Sequence, residues 1–225
     1  MELNNLYNMD CMKGMEQFPD KYFELAIIDP PYGINQSGGK NKTRSKAAAA
    51  KDYKPFHGGD KEAPPKEYFE ELFRVSKNQI IFGANHFISK IPYDSHCWIV
   101  WDKDNSNTGF ADCELAWTSF DSAVRRFKYL WSGMRQEDMK NKEYRIHPTQ
   151  KPVALYKWII NKYANPGDKI LDTHAGSASS LIACHQMGFD FLGFELDEHY
   201  YNLANKRLQD EMAQINLFDF PEVLP

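Results

Sequence analysis

The C-terminal third of the chain alternates short apolar runs with helical periodicity, and this constrains the fold more than any other feature. Lys169-Ile170-Leu171-Asp172 reads as a strand, a turn of small residues follows, and the spacing predicts a helix from Ser179 to Met187. Phe191-Leu192-Gly193-Phe194 reads as the next strand and Glu198 to Met212 as a last helix. Strands joined through helices cannot pair as hairpins; each crossover calls for parallel neighbours with helices laid over the sheet. The same rhythm runs upstream. The apolar run Phe23 to Ile28 stops at Asp29-Pro30-Pro31, a helix is expected from Lys66 to Ser76, and Gln79 to Gly83 follows as a strand. Cys97 to Trp101, Glu114 to Thr118 and Val124 to Trp131 read as further strands, and Val153 to Ala164 as a helix closed by Asn165-Pro166-Gly167. The expectation is a single α/β domain over residues 1–225, built on a doubly wound, mostly parallel sheet.

Composition narrows the classes of function. With 42% hydrophobic and 14% aromatic residues the chain can bury a sizeable core. No apolar run approaches the roughly 18 residues of a membrane helix. The N-terminus, Met1-Glu2-Leu3-Asn4-Asn5, carries no basic stretch leading into an apolar one, so a cytoplasmic location is expected and no membrane partner. Cys11, Cys97, Cys113 and Cys184 are scattered without a C-x-x-C pair, which points to reduced thiols and no metal site. The net charge of −4 conceals an uneven distribution. Residues 36–61 hold seven Lys or Arg against two Asp, and residues 125–151 hold eight against three acids, while residues 190–225 hold eight acids against two basic residues. Two basic segments and an acidic tail suit a chain that meets a polyanion on one side only.

Three constellations carry chemistry. Asp29-Pro30-Pro31-Tyr32-Gly33 ends a strand with a carboxylate, a carbonyl held by two successive proline rings, and an aromatic face. An exocyclic aromatic amine is a poor nucleophile because its lone pair is delocalised into the ring. Acceptors that hold its hydrogens draw the nitrogen toward tetrahedral geometry, and Asp29 and Pro30 are suited to that, with Tyr32 stacking on an extruded base. The second constellation runs from Ile170 to Ser180, a strand entering a Gly, Ala and Ser turn before a helix, which lets backbone amides approach a ligand. Glu195 and Leu196 end the next strand about twenty residues later, where an acid can hold ribose hydroxyls. No G-x-x-x-x-G-K-[ST] and no three-glycine dinucleotide turn is present, which disfavours ATP and NAD. The third is His147-Pro148-Thr149-Gln150-Lys151-Pro152 at a helix start, with a hydroxyl and an ammonium suited to a carboxylate.

Asn8 to Met12, Asp29 to Tyr32, His147 to Pro152, Asp172 to Ser180 and Glu195 stand in the order found in the DNA amino-methyltransferases of the permuted beta class, in which the D-P-P-Y segment precedes the cofactor segment. The chain resembles that family over most of its length. The resemblance implies a Rossmann-like methyltransferase using S-adenosylmethionine, with N6 of adenine as the target because Asp rather than Ser opens the motif. Asp29, Pro30, Pro31 and Tyr32 are the implied catalytic residues. Asp10, Cys11, Asp29, Thr149, Lys151, Asp172, His174, Gly176, Ser177, Glu195 and Leu196 are the implied cofactor contacts, with Thr149 and Lys151 meeting the carboxylate and Asp10 the adenine. The cofactor turn departs from the family's D-P-F-x-G-S-G-T by Thr173-His174 in place of Pro-Phe and Ala178-Ser179 in place of Gly-Thr. N4 of cytosine, an RNA amine, a protein amide and an inactive DNA-binding homologue stay open as alternatives.

Double-stranded DNA is the implied partner. A mobile basic loop over residues 36–61, with Lys40, Lys42 and Arg44, and a target-recognition region over 104–146, with Arg125, Arg126, Lys128, Arg135 and Arg145, are the expected contacts. A second copy of the chain is a further candidate partner. Gln214-Ile215-Asn216-Leu217-Phe218, in the tail over residues 213–225, resembles the peptide by which bacterial replication proteins dock on the sliding clamp, with Gln214, Leu217 and Phe218 as contacts.

Overall fold

A computed structural model describes residues 1–35, 53–56, 60–105, 111–132 and 135–214. The elements run β1 (Asn5–Asn8), α1 (Cys11–Met15), β2 (Phe23–Ile28), α2 (Lys66–Val75), β3 (Ser76–Phe82), β4 (Trp98–Asp102), β5 (Cys113–Thr118), β6 (Arg125–Lys128), β7 (Trp131–Ser132), β8 (Arg135–Gln136), α3 (Val153–Tyr163), β9 (Lys169–Asp172), α4 (Ser179–Gln186), β10 (Asp190–Glu195) and α5 (Glu198–Met212). Eight strands form one sheet in the order β1-β10-β9-β2-β3-β5-β4-β6, and β7 and β8 form a separate hairpin. The run from β1 to β3 is parallel throughout, β5 is antiparallel to both β3 and β4, and β4 pairs in parallel with β6. The expected doubly wound, mostly parallel sheet is what the chain forms.

Strand periodicity explains how both faces are covered. In β2, Leu25 and Ile27 enter one core while Ala26 and Ile28 enter the other; Ile80 and Phe82 of β3 likewise oppose Ile81. Leu155 and Ile159 of α3, Leu181 of α4 and Leu208 of α5 cover the first face, and Met15 of α1 with Phe69 and Leu72 of α2 covers the second. A strand buried on both sides needs a continuous apolar run, and each such side chain contributes about 1.5–3 kcal/mol. The helix starts are locally encoded. Asp10 caps α1 by accepting from the backbone N–H of Met12 at 2.8 Å, and Asp197 caps α5 through His199 N–H at 2.9 Å.

One expectation needs correction. The basic run from Val124 to Trp131 is not one strand: β6 ends at Lys128, and Trp131 begins the hairpin, its indole N–H donating to the Gln150 carbonyl at 2.8 Å. Within residues 104–146, the expected target-recognition region, β5 and β6 are strands of the main sheet. Of the basic loop, Lys40, Lys42 and Arg44 lie outside the described residues, as do Leu217 and Phe218 of the tail; Gln214 is exposed just beyond α5. Among the described residues, no helix is long and apolar enough to cross a membrane.

Candidate active site

Parallel strands send their C-terminal ends to one edge of the sheet, and here the sheet changes direction between β9 and β2. From β9 the chain winds through α4 to β10; from β2 it winds through α2 to β3 on the other side. Such a switch point opens a crevice beyond the strand ends. The crevice is a cleft of about 1790 Å³, and both the D-P-P-Y segment and the Gly176 to Glu195 region line it.

Asp29 leaves β2 directly into this cleft, with both carboxylate oxygens engaged. Its Oδ1 accepts from the Tyr32 hydroxyl at 2.6 Å, and its Oδ2 lies 2.5 Å from the Lys151 ammonium. Lys151 in turn donates to the Tyr32 hydroxyl at 3.1 Å and stands 3.1 Å from Glu114 Oε2, an ion pair too poorly aligned to count as a hydrogen bond. Glu114 continues the chain to Lys103. Burial opposes the charge on Lys151, but Asp29 and Glu114 together outweigh it and hold the ammonium above the usual lysine range. Burial likewise opposes ionisation of Glu114, yet Lys151 and Lys103 hold its carboxyl down at about 2. For Asp29 burial prevails and pushes the carboxyl up, with Lys151 pulling in the opposite direction.

Tyr32 is set by two devices that no local motif announces. The Asp60 carboxylate accepts from the backbone N–H of Tyr32 at 2.5 Å and of Gly33 at 2.8 Å, fixing the chain just past the prolines. Gly83, in the left-handed region at φ 67°, leaves room for the ring: a Cβ there would stand 2.1 Å from Tyr32 Cε1. His86, from the turn after β3, stacks on Tyr32 with ring centres 5.4 Å apart.

Across the cleft, the turn after β9 wraps back toward β10. Gly176, at φ 52°, donates its N–H to Glu195 Oε2 at 2.9 Å, and Asp197 N–H donates to Oε1 at 2.8 Å, so two backbone amides brace that carboxylate at the cleft wall. Burial still pushes Glu195 up to about 7. Ala178, where the family turn has glycine, adopts a left-handed φ of 58°, a conformation that costs an alanine about 1–2 kcal/mol. His174 fills the place of the family's phenylalanine with a ring edge-on to Tyr68, and burial lowers its pKa to about 4, so it is a neutral aromatic here. Asp10, Cys11, Thr149, Gly176, Ser177 and Leu196 all line the cleft, and burial pushes the Cys11 thiol up to about 12.

Two of the expected cofactor contacts are placed differently. Asp172 is 2% exposed and lies behind the cleft lining, accepting from His174 N–H at 3.0 Å and from the Ser180 hydroxyl; it shapes the turn from within. Lys151 sits among Asp29, Glu114 and Tyr32, on the D-P-P-Y side of the cleft, because two carboxylates outcompete a solvent-facing role. Thr149, by contrast, bonds to His147 Nδ1 at 3.0 Å, and burial lowers the His147 pKa to about 3. His147 stacks on Phe56 with ring centres 5.5 Å apart, so the described piece of the basic segment packs against the cleft lining. Of the basic candidates, Arg125, Arg126 and Lys128 are exposed on the edge strand β6 and Arg135 is exposed on the hairpin, whereas Arg145 is half-buried, its guanidinium 4.1 Å from the Trp131 ring centre and inside the cleft.

Comparison with known proteins agrees with this geometry. The family model N6_N4_Mtase, described as DNA methylase, matches residues 101–206. Type II methyltransferase M.HpaI of Haemophilus parainfluenzae is 34% identical over an alignment covering 93% of this chain and 76% of the relative. Type II methyltransferase M.HinfI of Haemophilus influenzae is 25% identical, with 92% and 69% covered. Among solved structures, the M1.HpyAVI–SAM complex superposes with a TM-score of 0.54 at 22% identity, over 90% of this chain and 98% of that one. The PvuII DNA methyltransferase, cytosine-N4-specific by its description, superposes with a TM-score of 0.56 at 11% identity, over 92% and 90%.

Proposed function

Since the chain belongs to the N6/N4 DNA methylases, we propose that it transfers a methyl group from S-adenosylmethionine to the N6 amine of an adenine turned out of duplex DNA. The observation that carries this reading is that Asp29 to Tyr32, after β2, and the braced Glu195, at the end of β10, open into one cleft from either side of β9. The cleft chemistry fits the cofactor. Glu195, held by two amides, has acceptor capacity left for a ribose diol, and Met9, Tyr68, Phe194 and Leu196 offer apolar walls to a flat base. Asp10 is the polar group on that side. When bound, S-adenosylmethionine supplies an electrophilic methyl group on a cationic sulfonium. The protein's part is to hold the target nitrogen in line with it: Asp29 and the Pro30 carbonyl accept the amine hydrogens, and Tyr32 carries the base on its face. The acid Asp29 at the first motif position favours adenine over cytosine by resemblance to the family.

Production in a host free of DNA methylation, followed by long-read detection of modified bases, tests the assignment. N6-methyladenine at one short sequence is the expected result; N4-methylcytosine would move the target, and an unmodified genome would end the reading.

Glu195 gives a second, independent handle. A carboxyl at about 7 in the free protein is mostly protonated on the acid side, and only the anion grips a diol well. Raising the pH through about 7 removes the cost of ionising it, so affinity for S-adenosylmethionine is expected to rise between roughly pH 6 and pH 8, by up to about tenfold per unit on the acid side. Calorimetry checks this, and Glu195→Gln should flatten the profile. A flat profile in the unsubstituted protein takes Glu195 out of the cofactor grip.

A further inference from the structure

Glu114 belongs to no sequence constellation, yet it reaches the D-P-P-Y carboxylate through one side chain. It enters the cleft from β5, which runs antiparallel to β3 and so begins, rather than ends, at the active edge. Its cross-strand partner is Trp101, and Lys103 follows β4 on the same edge. The result is a chain of four charges, Asp29, Lys151, Glu114 and Lys103, with the Lys151 side chain only 4% exposed and the Phe82 ring centre 4.8 Å from its ammonium. Two carboxylates and two ammonium groups sum to zero. Lys151 alone beside Asp29 would also sum to zero, but it would leave Lys103 as an excess cation on the cleft wall.

We propose that Glu114 is a positioning and charge-balancing residue for methyl transfer: it pins Lys151 against Asp29 and presents a neutral wall to a cationic methyl donor. This rests on the methyltransferase reading. The physical argument is the asymmetry between donor and product. The sulfonium of S-adenosylmethionine carries a positive charge, and the thioether of S-adenosylhomocysteine, left once the methyl has moved to nitrogen, carries none at sulfur. A net positive wall therefore weakens the donor selectively, and a net negative wall favours it. Across several ångströms of partly buried site, one unit of charge is worth on the order of tenfold in affinity. A residue that only stabilises the fold would change both ligands alike.

The test is the ratio of affinities for S-adenosylmethionine and S-adenosylhomocysteine, measured by calorimetry on the full chain. Glu114→Gln leaves the wall positive and is expected to lower the preference for the sulfonium on the order of tenfold. Lys103→Met leaves it negative and is expected to shift the ratio the opposite way, which keeps the idea testable even if the glutamine variant folds poorly. In single turnover, Glu114→Gln should lose rate and Glu114→Asp should recover part of it, since the shorter acid restores charge. Opposite shifts in the two variants support the proposal. Equal losses for both ligands, or a ratio unmoved in either variant, overturn it while leaving the methyltransferase reading intact. An unsubstituted protein that binds neither ligand overturns both.

Discussion

Replacing Asp29 by alanine is expected to slow methyl transfer on the order of 10²- to 10³-fold, the size of effect seen when one preorganised polar group at a reacting centre is lost. S-Adenosylmethionine binding should weaken far less, on the order of tenfold, because the variant removes one negative charge from the four-charge wall while Glu195 and Asp10 stay in place. The two oxygens of Asp29 explain why the loss should be large. Tyr32 holds Oδ1 and Lys151 holds Oδ2, so the carboxylate arrives at the base in one orientation with acceptor capacity left on each oxygen. Alanine removes the acceptor and releases both partners. Asparagine separates the remaining possibilities: Asp29→Asn keeps one acceptor and the shape, but turns an N–H₂ toward the Lys151 ammonium or the Tyr32 hydroxyl. If Asp29 works by accepting hydrogen bonds, Asp29→Asn should stay slow at every pH. Recovery of the asparagine variant at high pH would instead point to a proton-removing role, and an alanine variant that methylates at a comparable rate would end the assignment. Single-turnover rates with a methylated-base readout, alongside calorimetry of cofactor binding, separate these outcomes.

The sheet was legible because burial on two faces writes itself as short apolar runs, and β2, β9 and β10 all carry that signature between turn residues. Five-residue α1 and the two-residue strands β7 and β8 were not, since neither is long enough to establish a period. The candidate site divides the same way. Asp29, Tyr32, Gly176 and Glu195 stand at strand ends next to turn chemistry, where sequence order and topology coincide. Asp60 lies 28 residues beyond Tyr32 in a segment without periodicity, and only the folded chain brings its carboxylate to the Tyr32 amide. Glu114 looks like an ordinary polar position in a half-exposed strand until antiparallel pairing places that end of β5 at the cleft. Lys151 shows the converse. Its place beside a helix start suggests a cofactor carboxylate, whereas the fold sets it within ion-pair distance of two protein carboxylates that lie far from it in the sequence.

Replacing Lys151 by methionine is expected to destabilise the fold by about 3–5 kcal/mol, the usual cost of stranding a buried charge, and to shift how stability responds to acid. In the unsubstituted protein, Glu114 is held down at about 2 in the folded state, below the ordinary glutamate range. Its contribution is therefore complete above the unfolded value and is lost as pH falls through the acid range toward about 2. Methionine fills the volume and keeps the packing against Phe82, but it leaves Asp29 with no cation and Glu114 with Lys103 alone. Burial already pushes Asp29 up against the pull of Lys151, so without that pull its folded-state carboxyl rises further above the unfolded one. A group shifted that way binds more protons folded than unfolded, and its stability penalty shrinks as pH falls. Between neutral pH and mildly acidic pH, the Lys151→Met protein should thus gain stability relative to the unsubstituted protein. Urea unfolding across that range reads the two slopes directly. A Lys151→Met protein whose stability follows pH in parallel with its parent would show that Asp29 does not depend on Lys151, and the four-charge chain would lose its central link.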